Sequence, residues 1–308
     1  MGEFKEGGGV ELGGSQEEVE VLKTNEMSEE LEAVDEKELE QQQKREVEDA
    51  TNELRKIALE EGSQKHSVNT EDYIADHVPD HLKSDKPSLV YRLAQKIGRM
   101  GVKEIQGKEE LPEEPKLFIA NHRGGETGKL IGALNDQVHI ASAETINWSR
   151  GGMFVKFMQG LGMVPIRESF AHVSEDDRQK VVERARENQK ETHQKAIDET
   201  GKFSSANVEN IRAMVALLLK GEDVAIFAEG PFSRLEEDDR KAYAGYALVA
   251  REYKRVTGED LPVVPTGIRG KKVLFGESFS VDSDGRQTTA QLEDVATEKI
   301  HGLYDSLE

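Results

Sequence analysis

Short apolar-rich runs, each too brief for a helix, recur along this chain and limit what it can fold into. Residues 117–120, 138–141 and 224–228 are such runs, and 262–267 carries Val263 and Val264. A strand covered by helices on both faces reads as a near-continuous apolar run, whereas a strand with one wet face alternates. Helix-like spacing fills the intervals. Residues 129–134 follow the first run and 151–157 the second. Before the third, Val208, Ile211, Val215, Leu218 and Leu219 share one face, and Gly221 supplies a stop. Residues 243–253 follow it. Buried strands alternating with helices predict an α/β fold, a mostly parallel sheet with helices on both faces. Residues 102–107 alternate and predict a half-buried strand ahead of the first run.

The rest of the chain is unlike this body. Residues 1–80 hold 24 acidic and 8 basic side chains, a net of −16 out of −20 for the whole. Such a segment has too few apolar residues to offset its ordering entropy, so an acidic, largely disordered or transiently helical tail is expected over 1–80. Residues 71–85 read as a polar linker broken by Pro79. The folded domain is then 81–308, with a charged helical insertion at about 170–203. The body's own charge is near neutral, so the acidity says little about its partners. The absence of cysteine removes disulfides, a thiol nucleophile and Cys-based zinc. No apolar run reaches membrane-span length, and the expected location is the cytoplasm, with peripheral attachment to its membrane face.

One segment bears on that attachment. In 87–103, Leu89, Leu93, Ile97 and Met100 fall on one helical face, and Arg92, Lys96, Arg99 and Lys103 supply positive charge. A basic amphipathic helix lies at a lipid interface or packs on the body, and the pattern fits both.

The chemistry is expected where the first apolar run ends. Asn121 and His122 follow it, and a glycine-bearing loop brings Glu126 four residues after the histidine. In open α/β sheets, reactive groups gather at the carboxyl ends of strands, and a histidine with a nearby carboxylate suits a general base. Other sites are excluded by spacing. Gly128-Lys129 lacks the glycine and the hydroxyl residue of a phosphate loop, since Arg123 and Leu130 hold those places. There is no G-x-G-x-x-G and no G-x-S-x-G. No further histidine stands at ligand spacing to His122 and Glu126, so no metal is expected.

Four segments in order resemble the four blocks of the glycerolipid acyltransferases of the lysophosphatidic acid acyltransferase type. Asn121-His122 is similar to the start of the first block, whose aspartate position holds Thr127 here, one residue after Glu126. The stretch from Gly162 through Pro165 and Ile166 to Arg167 resembles the second, and Phe227-Ala228-Glu229-Gly230-Pro231-Phe232-Ser233, followed by Arg234, the third. Val263-Val264-Pro265 resembles the fourth. Pro231 and Phe232 replace a Thr and an Arg of the family's third block. The resemblance implies acyl transfer from acyl-CoA or acyl-carrier protein, as co-substrate, to a phosphate-bearing glycerolipid, with no bound cofactor and no nucleic acid partner. His122 would be the base, assisted by Glu126 or Thr127. Asn121, Arg167, Glu229, Gly230, Ser233 and Arg234 would bind the acceptor. Lysophosphatidate and glycerol 3-phosphate are both candidate acceptors. A catalytically weak or inactive lipid or acyl-thioester binder of the same fold is one alternative, and an interaction protein whose acidic tail is the working part is another.

Overall fold

The computed structural model describes residues 68–84, 86–122, 125–143, 152–166, 205–230, 240–281 and 287–307, with 179, 182 and 183. All of them belong to one unit, Lys56–Glu308. Its strands are β1 (Glu104–Gln106), β2 (Leu117–Ala120), β3 (Val138–Ala143), β4 (Met163–Ile166), β5 (Asp223–Phe227), β6 (Val263–Arg269) and β7 (Lys272–Phe275). They form a seven-stranded sheet in the order β1-β7-β6-β2-β5-β3-β4. The five strands from β6 to β4 are mutually parallel. β7 folds back antiparallel on β6 through a tight turn, and β1 pairs parallel with β7. The parallel expectation therefore holds for five strands, and the hairpin reverses the other two.

The helices are α1 (Thr70–His77), α2 (Leu89–Gly101), α3 (Glu126–Ala133), α4 (Gly152–Gly160), α5 (Ser205–Leu219), α6 (Gly245–Thr257) and α7 (Thr289–Asp305). They cover both faces, as a sheet of apolar strands requires. In β2 alternate residues go to opposite sides. Leu117 and Ile119 pack with α1, α5, α6 and α7, while Phe118 and Ala120 pack with α2, α3 and α4. All four are fully buried, because β2 has a strand on each side and helices above and below.

Two sequence expectations fail here. β1 is an edge strand with all three residues exposed, so its alternation does not mark a half-buried face. The expected linker at 71–85 contains α1, capped by the Asn69 side chain, and a 3-10 turn at Asp80–Leu82. Tyr73, Val78 and Leu82 enter the main core, and the Tyr73 hydroxyl donates to Glu252 at 2.8 Å. The tail boundary at 80 thus cuts through packed structure. Residues 1–67 and nearly all of the 170–203 insertion lie outside the described residues.

A truncation pair tests this boundary. Removing 1–67 should leave the melting temperature nearly unchanged, because the composition there offers little apolar surface. Tyr73→Ala should cost about 3 kcal/mol or more, as buried aromatic truncations do. For a domain of this size that is roughly 6–12 °C. Equal melting curves for Tyr73→Ala and wild type would show that α1 is not part of the folded core.

Candidate active site

The site forms where β2 and β5 end side by side. Ala120 pairs with Phe227 in the last register position, and the ladder continues one step as the Ala228 N–H donates to the Ala120 carbonyl. Beyond that point side chains of Asn121 and Glu229 make the bonds. The Asn121 amide is fully buried and faces the adjacent strand β6. Its Oδ1 accepts from the Ile268 N–H at 2.7 Å, and its Nδ2 donates to the Ile268 carbonyl at 2.9 Å. A side chain spent on both backbone groups of one residue is a framing element. The acceptor-binding role expected for Asn121 does not fit this placement.

Glu229 is also fully buried. Its Oε2 accepts the backbone N–H of His122 at 2.9 Å, and its Oε1 lies 3.2 Å from Nε2 of His301, which is on α7. A buried carboxylate needs hydrogen-bonding partners to offset its lost hydration, and these two supply them. The carboxylate thus ties the β5 end to the main chain of His122. Glu229 is closed to solvent, so any part it has in an acceptor pocket is to shape it through the main chain it holds. Gly230 follows beside Tyr243.

The His122 side chain is the exposed part of this assembly, at 39 %. Its ring lies over Phe227, with centroids 4.8 Å apart and planes inclined by 35°. The Phe227 ring there helps to fix its plane. Nδ1 lies 3.8 Å from Oε2 of Glu126, an ion-pair distance longer than a hydrogen bond. The buried Glu126 opens α3, and Gly125 before it has φ +81°, a conformation open to glycine at little cost. That turn swings Glu126 toward the histidine. A carboxylate in the first turn of a helix is also favoured by the helix dipole. Glu126 is shared, however, because Lys129 Nζ stands 3.9 Å from Oε1. Thr127 occupies the same turn, half-buried.

Five of the expected site residues, His122, Glu126, Thr127, Glu229 and Gly230, therefore lie at the β2 and β5 ends, and Asn121 supports them. Arg167, Ser233 and Arg234 lie outside the described residues. His301 was missed in the sequence because α7 itself was. Its signals were present: Thr288 and Gln291 form a capping box, and Leu292, Ala296 and Ile300 recur at helical spacing. The buried His139 belongs elsewhere, at the far end of the sheet, where its Nδ1 meets the Gly162 carbonyl and its Nε2 meets Glu222. Burial raises the Glu222 carboxyl, but the hydrogen bonds with His139 and Lys220 outweigh it and hold it below its ordinary range.

Compared with known proteins, the chain matches no protein-family model and no curated protein significantly.

Proposed function

We propose that this protein is an acyltransferase that moves a fatty acyl group from an acyl thioester to the hydroxyl of a phosphate-bearing glycerolipid, with His122 as general base. The observation that carries the reading is a solvent-facing histidine at the carboxyl end of a central strand, its main chain clamped by a buried carboxylate and its Nδ1 turned to Glu126. With Nδ1 facing Glu126, Nε2 is the nitrogen that takes the hydroxyl proton as the alcohol oxygen attacks the thioester carbonyl. The carbon–sulfur bond then breaks, and the departing thiolate takes the proton from the imidazolium. Glu126 favours that cation while it exists. The alcohol is the substrate's own, so no acyl-enzyme is needed. Arg167 and Arg234, placed by their resemblance to the second and third blocks, are assigned to the acceptor's phosphate, for which a guanidinium fork is suited.

A second reading, a lipid or acyl-thioester binder without turnover, draws on one observation. Glu126 is divided between His122 and Lys129, which weakens its support of an imidazolium. Labelled acyl-CoA and acyl-carrier protein, each offered with lysophosphatidate, glycerol 3-phosphate and other lysolipids, separate the two. Turnover with any pair supports transfer. Saturable binding with no product in every pair supports the second reading.

A further inference from the structure

Two helices on the same side of the sheet turn large apolar side chains to solvent. On α2, Leu89, Leu93, Ile97 and Met100 are exposed, Leu89 to 74 % and Met100 to 71 %. On α4, Met153 and Phe157 are exposed, Met153 to 88 %. At about 100° per residue, the four on α2 fall within about 80° of the helix circumference, and the two on α4 are one turn apart. Single exposed apolar residues are ordinary, whereas six on two touching helices are not. The helices touch at one end. The Ser88 hydroxyl donates to the Gly160 carbonyl, and Gly160 backs onto the Val90 side chain. Val90 lies on the flank of α2 between the stripe and α4.

The stripe faces outward because α2 packs by its opposite side. Tyr91 is buried there, and its hydroxyl accepts from the Val138 N–H at 2.9 Å. Gln95 Nε2 donates to the carbonyls of Leu134 and Asn135. Gly98 meets Gly128 and Gly132 of α3 backbone to backbone. These contacts run α2 antiparallel to α3 and bring its last turn level with the first turn of α3, where Glu126 stands. The Met100 end of the stripe is therefore the end near the His122 edge of the sheet. Positive charge borders the surface on both sides. Arg92, Lys96 and Arg99 are exposed beside the stripe, Lys156 is exposed on α4, and neither helix contains an acidic residue.

We infer that the outer face of α2 and α4 docks onto an anionic lipid bilayer, with the six apolar side chains below the headgroups and the four cations among their phosphates. An apolar band with a cationic rim matches the layering of that interface. A second copy of the chain would set the same cations against one another, which opposes self-pairing. Docking this way brings the sheet edge bearing His122 toward the lipid. The inference stands on exposure and charge and does not depend on acyl transfer.

The test is flotation of the full chain with vesicles of equal parts phosphatidylcholine and phosphatidylglycerol, and with phosphatidylcholine alone. Wild type should float with the anionic vesicles at low salt, less so at high salt, and His122→Ala should float as wild type does. The triple variant Arg92→Glu, Lys96→Glu, Arg99→Glu should bind at least about tenfold more weakly, because each cation adds separately to the attraction. Leu93→Ser, Ile97→Ser, Met153→Ser should also lose binding. Both variants change exposed side chains, so unchanged melting temperatures serve as the control. The proposal is overturned if wild type stays with the unbound protein, or if the apolar variant floats undiminished. It is equally overturned if sedimentation shows a wild-type dimer that the apolar variant disperses, which would assign the face to a second copy.

Discussion

His122→Ala should lower acyl transfer by at least about a hundredfold while leaving the fold intact. Positioned general bases contribute about two to four decades. The side chain is more than a third exposed, and the site's structural bond is made by its backbone N–H, which alanine keeps. Melting temperature should therefore barely move. The partner series then divides the support of the ring. Glu126→Gln keeps shape and polarity but removes the charge, and should cost at least about tenfold. In the Ser-His-Asp template the same aspartate-to-amide change costs about four decades, at a closer contact than the 3.8 Å here. Thr127→Ala should cost much less, since a hydroxyl orients an imidazole without stabilising its charge. Thr127→Asp should be tolerated or gain activity by supplying a second carboxylate in the same turn. Full activity in Glu126→Gln, with His122→Ala inactive, would mean that another group supports the base.

The seam between α2 and α3 should be equally intolerant, but in stability. A Cβ placed on Gly98 would lie 2.0 Å from the Gly128 carbonyl oxygen, and one on Gly132 would lie 2.2 Å from the Gly98 carbonyl carbon. Both obstacles are backbone, so no side chain can turn aside and the helices must part. Gly98→Val and Gly132→Val should each cost about 3 kcal/mol or more, at the upper end of overpacking, and lower the melting temperature by at least roughly 6 °C. The contrast lies within the same seam. A Cβ on Gly128 meets nothing within 4 Å, so Gly128→Ala should be neutral or stabilise by up to about 1 kcal/mol through helix propensity. Thermal melts of the three variants decide it. Similar losses at all three positions would show that the close approach at Gly98 and Gly132 does not set them apart from Gly128.

The strands and the position of His122 at a strand end could be read from the sequence because their signals are local. A run such as Val224-Ala225-Ile226-Phe227 states its own burial, and Asn121-His122 sits where such a run stops. What could not be read depends on partners far along the chain. The apolar stripe on α2 was plain, but periodicity does not say which side the body occupies, and glycines in two helices decide that. Asn121 resembles a substrate-binding residue until Ile268 is placed beside it. The buried Tyr73 sat in a stretch whose polar composition argued against packing, and α6 supplies the partner that overrules it. His301 carries no local sign of its role, which consists of reaching Glu229 from another helix.

The three points that hold His122 in place have a consequence for how the protein is made. His122 and Glu229 are 107 residues apart, and Glu229 and His301 a further 72. At a synthesis rate of about 5–20 residues per second, roughly 10–40 s pass between translation of His122 and translation of His301. During that time the strand bearing the histidine has neither of its sheet neighbours for much of the interval, and its buried carboxylate tie lacks its second partner until the end. Non-local pairing of this kind is slow to form and leaves apolar strands waiting for cover. A nascent chain halted before α7 would hold the His122 main chain through Glu229 alone, with that buried carboxylate still lacking its His301 partner.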